Sequence, residues 1–160
     1  LPSRGKTQFY ELSRMLLNIE NYDGSFDMKN AVKFLFNYLK KAAVIIIVSD
    51  FISWKDDWEE SLNLLTQKFD VISIMVRDPR DRTLPGDVGE FVIEDPKTGK
   101  TLLIEPELIK EAYEHEVKIQ EEKIRKVFFK SNIDFAEIIT DKSFVKPVIN
   151  LFLKRSSKWR

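Results

Sequence analysis

The run Ala43-Val44-Ile45-Ile46-Ile47-Val48 constrains the fold more than any other feature of the chain. Its β-branched residues do not alternate with polar ones, so the pattern predicts a strand buried on both faces. Such a strand belongs in the middle of a parallel sheet, covered by helices on both sides. It is too short to cross a membrane, which takes about 18 apolar residues. The strand stops at Ser49-Asp50.

Its neighbours read as alternating helices and strands. Phe9, Leu12, Met15, Leu16 and Ile19 recur at spacings of three and four, which predicts a helix from about Lys6 to Glu20. Asn21 to Ser25 is turn chemistry, and a second helix runs roughly from Asp27 to Lys40. Its expected buried stripe is Ala31, Val32, Leu35, Tyr38 and Leu39. Trp58, Leu62, Leu65 and Phe69 mark a third helix, with Asp56 and Asp57 at its start, where the dipole favours carboxylates. Val71 to Val76 is a second strand. Glu90 to Glu94 and Thr101 to Glu105 form a hairpin around Asp95-Pro96-Lys97-Thr98-Gly99. Pro106 can open a long helix with Ile109, Ala112, Tyr113, Val117, Ile124, Val127 and Phe128 as its stripe. Phe135 to Ile139 is a third core strand, and a last helix starts near Ser143. Strands alternating with helices predict an α/β fold with right-handed crossovers.

At 160 residues the chain has room for one domain. Residues 1–155 read as part of that domain, and 156–160 as a frayed basic tail. Zero cysteines exclude a disulfide scaffold, a thiolate metal site and a cysteine nucleophile. Their absence fits a cytoplasmic location. A single histidine, His115, excludes His-rich zinc sites, and it falls on the polar side of its helix. Lysine plus arginine equals aspartate plus glutamate at 26 each, so overall charge gives no reason to expect nucleic acid. The charged run Glu111, Glu114, Glu116, Lys118, Glu121, Glu122 and Lys123 reads as a solvated helix face.

Ligands of open α/β sheets bind beyond the carboxyl ends of the strands. Asp50 is placed there, after the most apolar strand, and can hold a hard cation such as magnesium. Asp78, before a proline, reads as turn chemistry, and Asp141 as a helix cap. The hairpin is either a simple sheet extension or a docking element.

Several motifs in order carry a resemblance. They are Ile46-Ile47-Val48-Ser49-Asp50-Phe51, Phe69-Asp70-Val71-Ile72, Val76-Arg77-Asp78-Pro79-Arg80 with Leu84-Pro85, and Asp95-Pro96-Lys97-Thr98-Gly99. From Arg4 to Arg155 the chain resembles the second half of the von Willebrand factor A-like family known as domain of unknown function 58. The resemblance implies a Rossmann-like von Willebrand A-type mostly parallel sheet, helices on both faces, an inserted β-hairpin, and N-terminal strands lying upstream of Leu1. It also implies a metal-ion-dependent adhesion site built from three loops. Ser49-Asp50 resembles the third loop. Gly24-Ser25 resembles the second, with serine replacing threonine. The first, Asp-x-Ser-x-Ser, does not occur in these residues. The implied Mg2+ site is therefore Asp50 and Ser25 only, to be completed from upstream.

The resemblance further implies a non-catalytic, metal-dependent protein-binding module, an adaptor or co-chaperone for a MoxR-type AAA+ ATPase. Two alternatives stand beside it. One is a magnesium-dependent hydrolase or phosphotransfer domain using Asp50, with Asp78 as a second carboxylate. The other is a degenerate structural domain without metal. If a neighbouring strand lies upstream, Val44 to Val48 presents an open apolar edge here, and the isolated chain is expected to self-associate.

Overall fold

The computed structural model describes residues 4–22, 26–52, 54, 57–86, 88–95 and 98–158. The described chain forms five α-helices and five strands. They are α1 (Lys6–Leu17), α2 (Met28–Tyr38), β1 (Val44–Ser49), α3 (Trp58–Thr66), β2 (Asp70–Arg77), β3 (Phe91–Glu94), β4 (Thr101–Ile104), α4 (Pro106–Lys130), β5 (Asp134–Ile139) and α5 (Val145–Lys158). Short 3-10 turns follow α1 at Ile19–Tyr22 and β2 at Pro79–Asp81. The fold is the expected α/β one. A parallel sheet in the order β1-β2-β5 carries helices on both faces, and the antiparallel β3-β4 hairpin is inserted between β2 and α4.

Strand periodicity separates the two faces of the sheet. Val71 and Met75 of β2 point to one face and join a single core with Leu62 and Leu65 of α3, Val32 of α2, and Phe128 of α4. Ile45 and Ile47 of β1 pack on the same core. The opposite face holds a smaller cluster, Ile72, Ala136 and Leu151, contributed by β2, β5 and α5. Leu62, Leu65, Met75 and Phe128 are all 0% exposed. Burying each such side chain contributes about 1.5–3 kcal/mol.

Two expectations meet at β1: the open apolar edge is present, since among the described residues β1 ends the sheet, whereas burial on both faces is not, and its burial alternates. Val44, Ile46 and Val48 are 56%, 53% and 62% exposed, because α5 covers this face over β5 and β2 and does not extend to β1. The central strand is β2, whose first four residues include three buried ones.

Other expectations shift locally. The helix read as Lys6 to Glu20 ends at Leu17, and Phe9, Leu12, Met15 and Leu16 on its apolar face are exposed. In α2, Phe36 packs on the core while Tyr38 faces solvent. Asp27 caps that helix, its carboxylate accepting from the Asn30 N–H at 3.0 Å. In α4 the expected stripe is buried only at Ile124, Val127 and Phe128, and Ile109 and Ala112 are exposed. The stretch read as a frayed tail continues α5 through Lys158. Among the described residues no helix is long and apolar enough to cross a membrane.

Candidate functional site at the carboxyl edge of the sheet

The carboxyl ends of β1, β2 and β5 lie side by side, since the strands are parallel and in register. Three groups of polar side chains gather there.

The first is the loop after β1. Ser49 Oγ accepts from the Phe51 N–H at 3.0 Å and from Trp54 Nε1 at 3.1 Å. Asp50 Oδ1 accepts from the Ile52 N–H at 3.1 Å. These bonds hold Phe51 at a φ of 57°, a left-handed conformation that a bulky residue adopts only when its surroundings enforce it. The enforcing contact is its buried ring, which packs on Trp54 at 4.5 Å and on Phe128 at 5.1 Å between centroids. Asp50 itself is exposed. The loop thus presents a carboxylate at the sheet edge on an anchored backbone. Ser25, the other expected ligand, lies outside the described residues.

The second group is the turn after β2, and it behaves as the sequence predicts. Asp78 Oδ1 accepts from the Arg80 N–H at 2.9 Å, and Asp81 Oδ2 accepts from the Asp78 N–H at 3.0 Å. Thr140 donates to Asp78 Oδ2 at 2.9 Å, tying the ends of β2 and β5 together. The Arg80 N–H, then the Thr140 hydroxyl, hold the Asp78 carboxyl below its ordinary pKa. Asp141 is not a helix cap: it sits in the turn before α5, and Ser143 Oγ accepts the Val145 N–H at 3.4 Å instead.

The third group was not foreseen. Arg77, the last residue of β2, is 1% exposed, and Glu121 of α4 is 6% exposed. Glu121 therefore does not belong to a solvated helix face. Its Oε1 accepts from Arg82 Nε at 2.8 Å and its Oε2 from Arg125 Nη2 at 2.9 Å. Glu137 of β5 accepts from Arg125 Nη2 at 2.8 Å and also from Arg82 Nη2. Burial pushes the Glu137 pKa up, but the bonds from Arg125 and Arg82 outweigh it, and the net direction is down. Burial likewise opposes the charge of Arg82 and Arg125, and the two glutamates raise both above their ordinary values. A signal for Glu121 was present: Val117, Glu121, Ile124 and Phe128 are spaced four, three and four, which puts the glutamate on the apolar stripe.

Among the described residues, no group of three or more histidine, cysteine, aspartate or glutamate side chains stands ready to hold a metal. The profile of the family described as "Protein of unknown function DUF58" matches residues 1–123. The chain belongs to the DUF58 family. The family match ends inside α4, short of the Arg155 to which the motif resemblance extends. An uncharacterised protein of Mycobacterium avium is 33% identical over 75 residues, covering 47% of this chain and 43% of that protein. An uncharacterised protein of Mycobacterium tuberculosis is 33% identical over 73 residues, covering 46% of this chain and 22% of that protein. The match thus spans less than half the length of these curated relatives. Among solved structures, the conserved hypothetical protein BatB from Bacteroides thetaiotaomicron aligns with a TM-score of 0.48 at 10% identity, covering 94% of this chain and 70% of that one.

Proposed function

We propose that this DUF58 chain is part of a non-catalytic protein-binding module that serves as an adaptor or co-chaperone for a MoxR-type AAA+ ATPase. The partner class comes from the resemblance to von Willebrand factor A-like proteins. The observation that carries a binding role is the Asp50 loop. It holds an exposed carboxylate at the carboxyl edge of a parallel sheet, where α/β folds take ligands, on a backbone fixed by a buried aromatic ring.

The resemblance also implies a magnesium ion at this loop. Magnesium demands a near-octahedral shell of oxygens. Among the described residues the loop offers Asp50 and Ser49, and both side chains already brace the turn. These residues do not make a magnesium site by themselves. Any such ion draws the rest of its shell from Ser25 or from elsewhere in the protein.

Binding to a MoxR-type ATPase, followed by calorimetry, tests the reading. Asp50→Ala should abolish the interaction while leaving the melting transition in place. Unchanged binding in that variant would remove Asp50 from the interface. A chelator arm then separates the two contributions: loss of binding assigns a role to the ion, and persistence assigns the contact to the protein surface alone.

A further inference from the structure

We propose that the cavity between the β3-β4 hairpin and the turn after β2 is a docking site for an extended peptide of a partner protein, one that alternates apolar and basic residues and joins β3 as a third strand. The site is separate from the Asp50 loop and needs no metal.

The hairpin is a two-stranded sheet of its own, and such a pair gains stability from a further strand. β4 covers one edge of β3. A single bond locates the other. The Asp95 N–H donates to the Lys100 carbonyl at 2.9 Å, and this pair continues the register that sets Phe91 opposite Ile104 and Ile93 opposite Leu102. Antiparallel pairs alternate between bonded and non-bonded ones. The backbone groups of Phe91 and Ile93 therefore point at β4. Those of Val92 and Glu94 point outward, where no backbone partner meets them among the described residues. An outward row of donors and acceptors is a template for an added strand.

The side chains of Phe91 and Ile93 share one face of the hairpin with those of Leu102 and Ile104. Phe91 and Ile93 wall a cavity of about 560 Å3 together with Pro79, Leu84, Pro85 and Tyr113. Leu102 and Ile104 do not line it, so the cavity lies on the β3 side, next to the outward edge. Every second side chain of a strand added there projects to this face.

The walls select what enters. The Tyr113 hydroxyl donates to the Asp81 carbonyl at 3.0 Å, and the Thr83 hydroxyl donates to Glu114. Arg80, the charged residue of the wall, acts on the neighbouring Asp78 carboxylate. With these polar groups committed, the surface offered to an occupant is apolar. The other face of β3 has the reverse character. Glu94 lies on it beside Val92, and Glu90 precedes the strand. Both glutamates are exposed, and neither has an ion-pair partner among the described residues. Lysine or arginine at the alternate positions of the added strand answers them, and the same charges turn away an acidic peptide.

The test is the fluorescence anisotropy of a labelled, capped peptide alternating isoleucine and lysine, titrated with the intact chain. Its controls are the same peptide with glutamate for lysine and the same peptide N-methylated along its backbone. Saturable binding of the lysine peptide alone is expected. Amide hydrogen exchange at Val92 and Glu94 should slow on binding, and exchange in β1 should not change. Val92→Pro removes an outward N–H, leaves the β3-β4 ladder in place and should weaken binding about tenfold. Glu94→Lys, at an exposed position, should reverse the preference between the lysine and glutamate peptides, so the test holds even where the proline variant fails to fold. Equal binding of the N-methylated peptide, protection in β1 instead of β3, or an unchanged preference in Glu94→Lys would overturn the site. Failure of the lysine peptide to bind would overturn it as well, and a saturable shift of the Ile93 methyl resonances with cyclohexanol would then mark a small-molecule pocket.

Discussion

The two faces of the parallel sheet both present isoleucine and valine and are finished very differently. On one, α2, α3 and α4 close over Val71 and Met75 and leave Leu62, Leu65 and Phe128 without any exposed surface. On the other, α5 covers β5 and β2 and leaves Val44, Ile46 and Val48 more than half exposed. Residue type alone therefore does not report burial. The same isoleucine-valine chemistry is a core on one side and an open surface on the other, and only the placement of helices distinguishes them.

Substitutions at paired positions test this contrast. Leu62→Ala, on the closed face, should cost about 2–5 kcal/mol in urea denaturation, because the surrounding helices cannot collapse onto the space. Ile46→Ala, on the open face, should stay within about 0.5 kcal/mol. Equal losses would mean that the open face is covered in solution.

Arg155 of α5 comes next in size. It is the charged clamp of the open face, bonding Asp134 at 2.6 Å and also Asp70, at the amino ends of β5 and β2. Arg155→Ala should cost about 1.5–3 kcal/mol, reduced by the partial exposure of Asp70, since two neighbouring carboxylates lose their shared counter-charge.

A smaller effect is expected from acid. Glu137 has a depressed pKa in the folded chain, so its contribution is present above the ordinary glutamate range and is lost as pH falls through the depressed value. Stability should decline below about pH 4.3. Arg125→Ala should flatten that decline in pH-dependent melting, and an unchanged slope would place the acid sensitivity elsewhere.

The smallest change in stability, and the clearest change in association, is expected from Ile46→Lys. A lysine at the open edge discourages strand-to-strand pairing. Sedimentation should show the unaltered chain self-associating and the lysine variant less so. A monodisperse parent chain would show that the edge is protected.

Much of the fold was legible because it rests on local spacing. The four-three-four rhythm of Trp58, Leu62, Leu65 and Phe69 gives α3, and the turn residues between Glu94 and Thr101 give the hairpin. What the spacing of β1 could not reveal is its neighbour. An unbroken apolar run records that a strand is suited to two-sided burial, and its place in the sheet depends on partners distant in sequence. The site divides in the same way. Asp50 and Asp78 were readable from their positions at strand ends. The Arg82–Glu121 and Arg82–Glu137 bonds join residues 39 and 55 positions apart, and charge pairing at that range leaves no periodic trace.

The length of α4 has a mechanical consequence. Its 25 residues span about 37 Å at 1.5 Å each. Glu121, Ile124, Val127 and Phe128 seat one end in the core, while the other end begins at Pro106 directly after the β3-β4 hairpin. The hairpin end is held as well: Pro106 is buried, the Tyr113 hydroxyl bonds the Asp81 carbonyl at 3.0 Å, and Thr83 donates to Glu114. The helix is therefore a strut braced along its length, with the hairpin and the turn after β2 walling one shared cavity beside it.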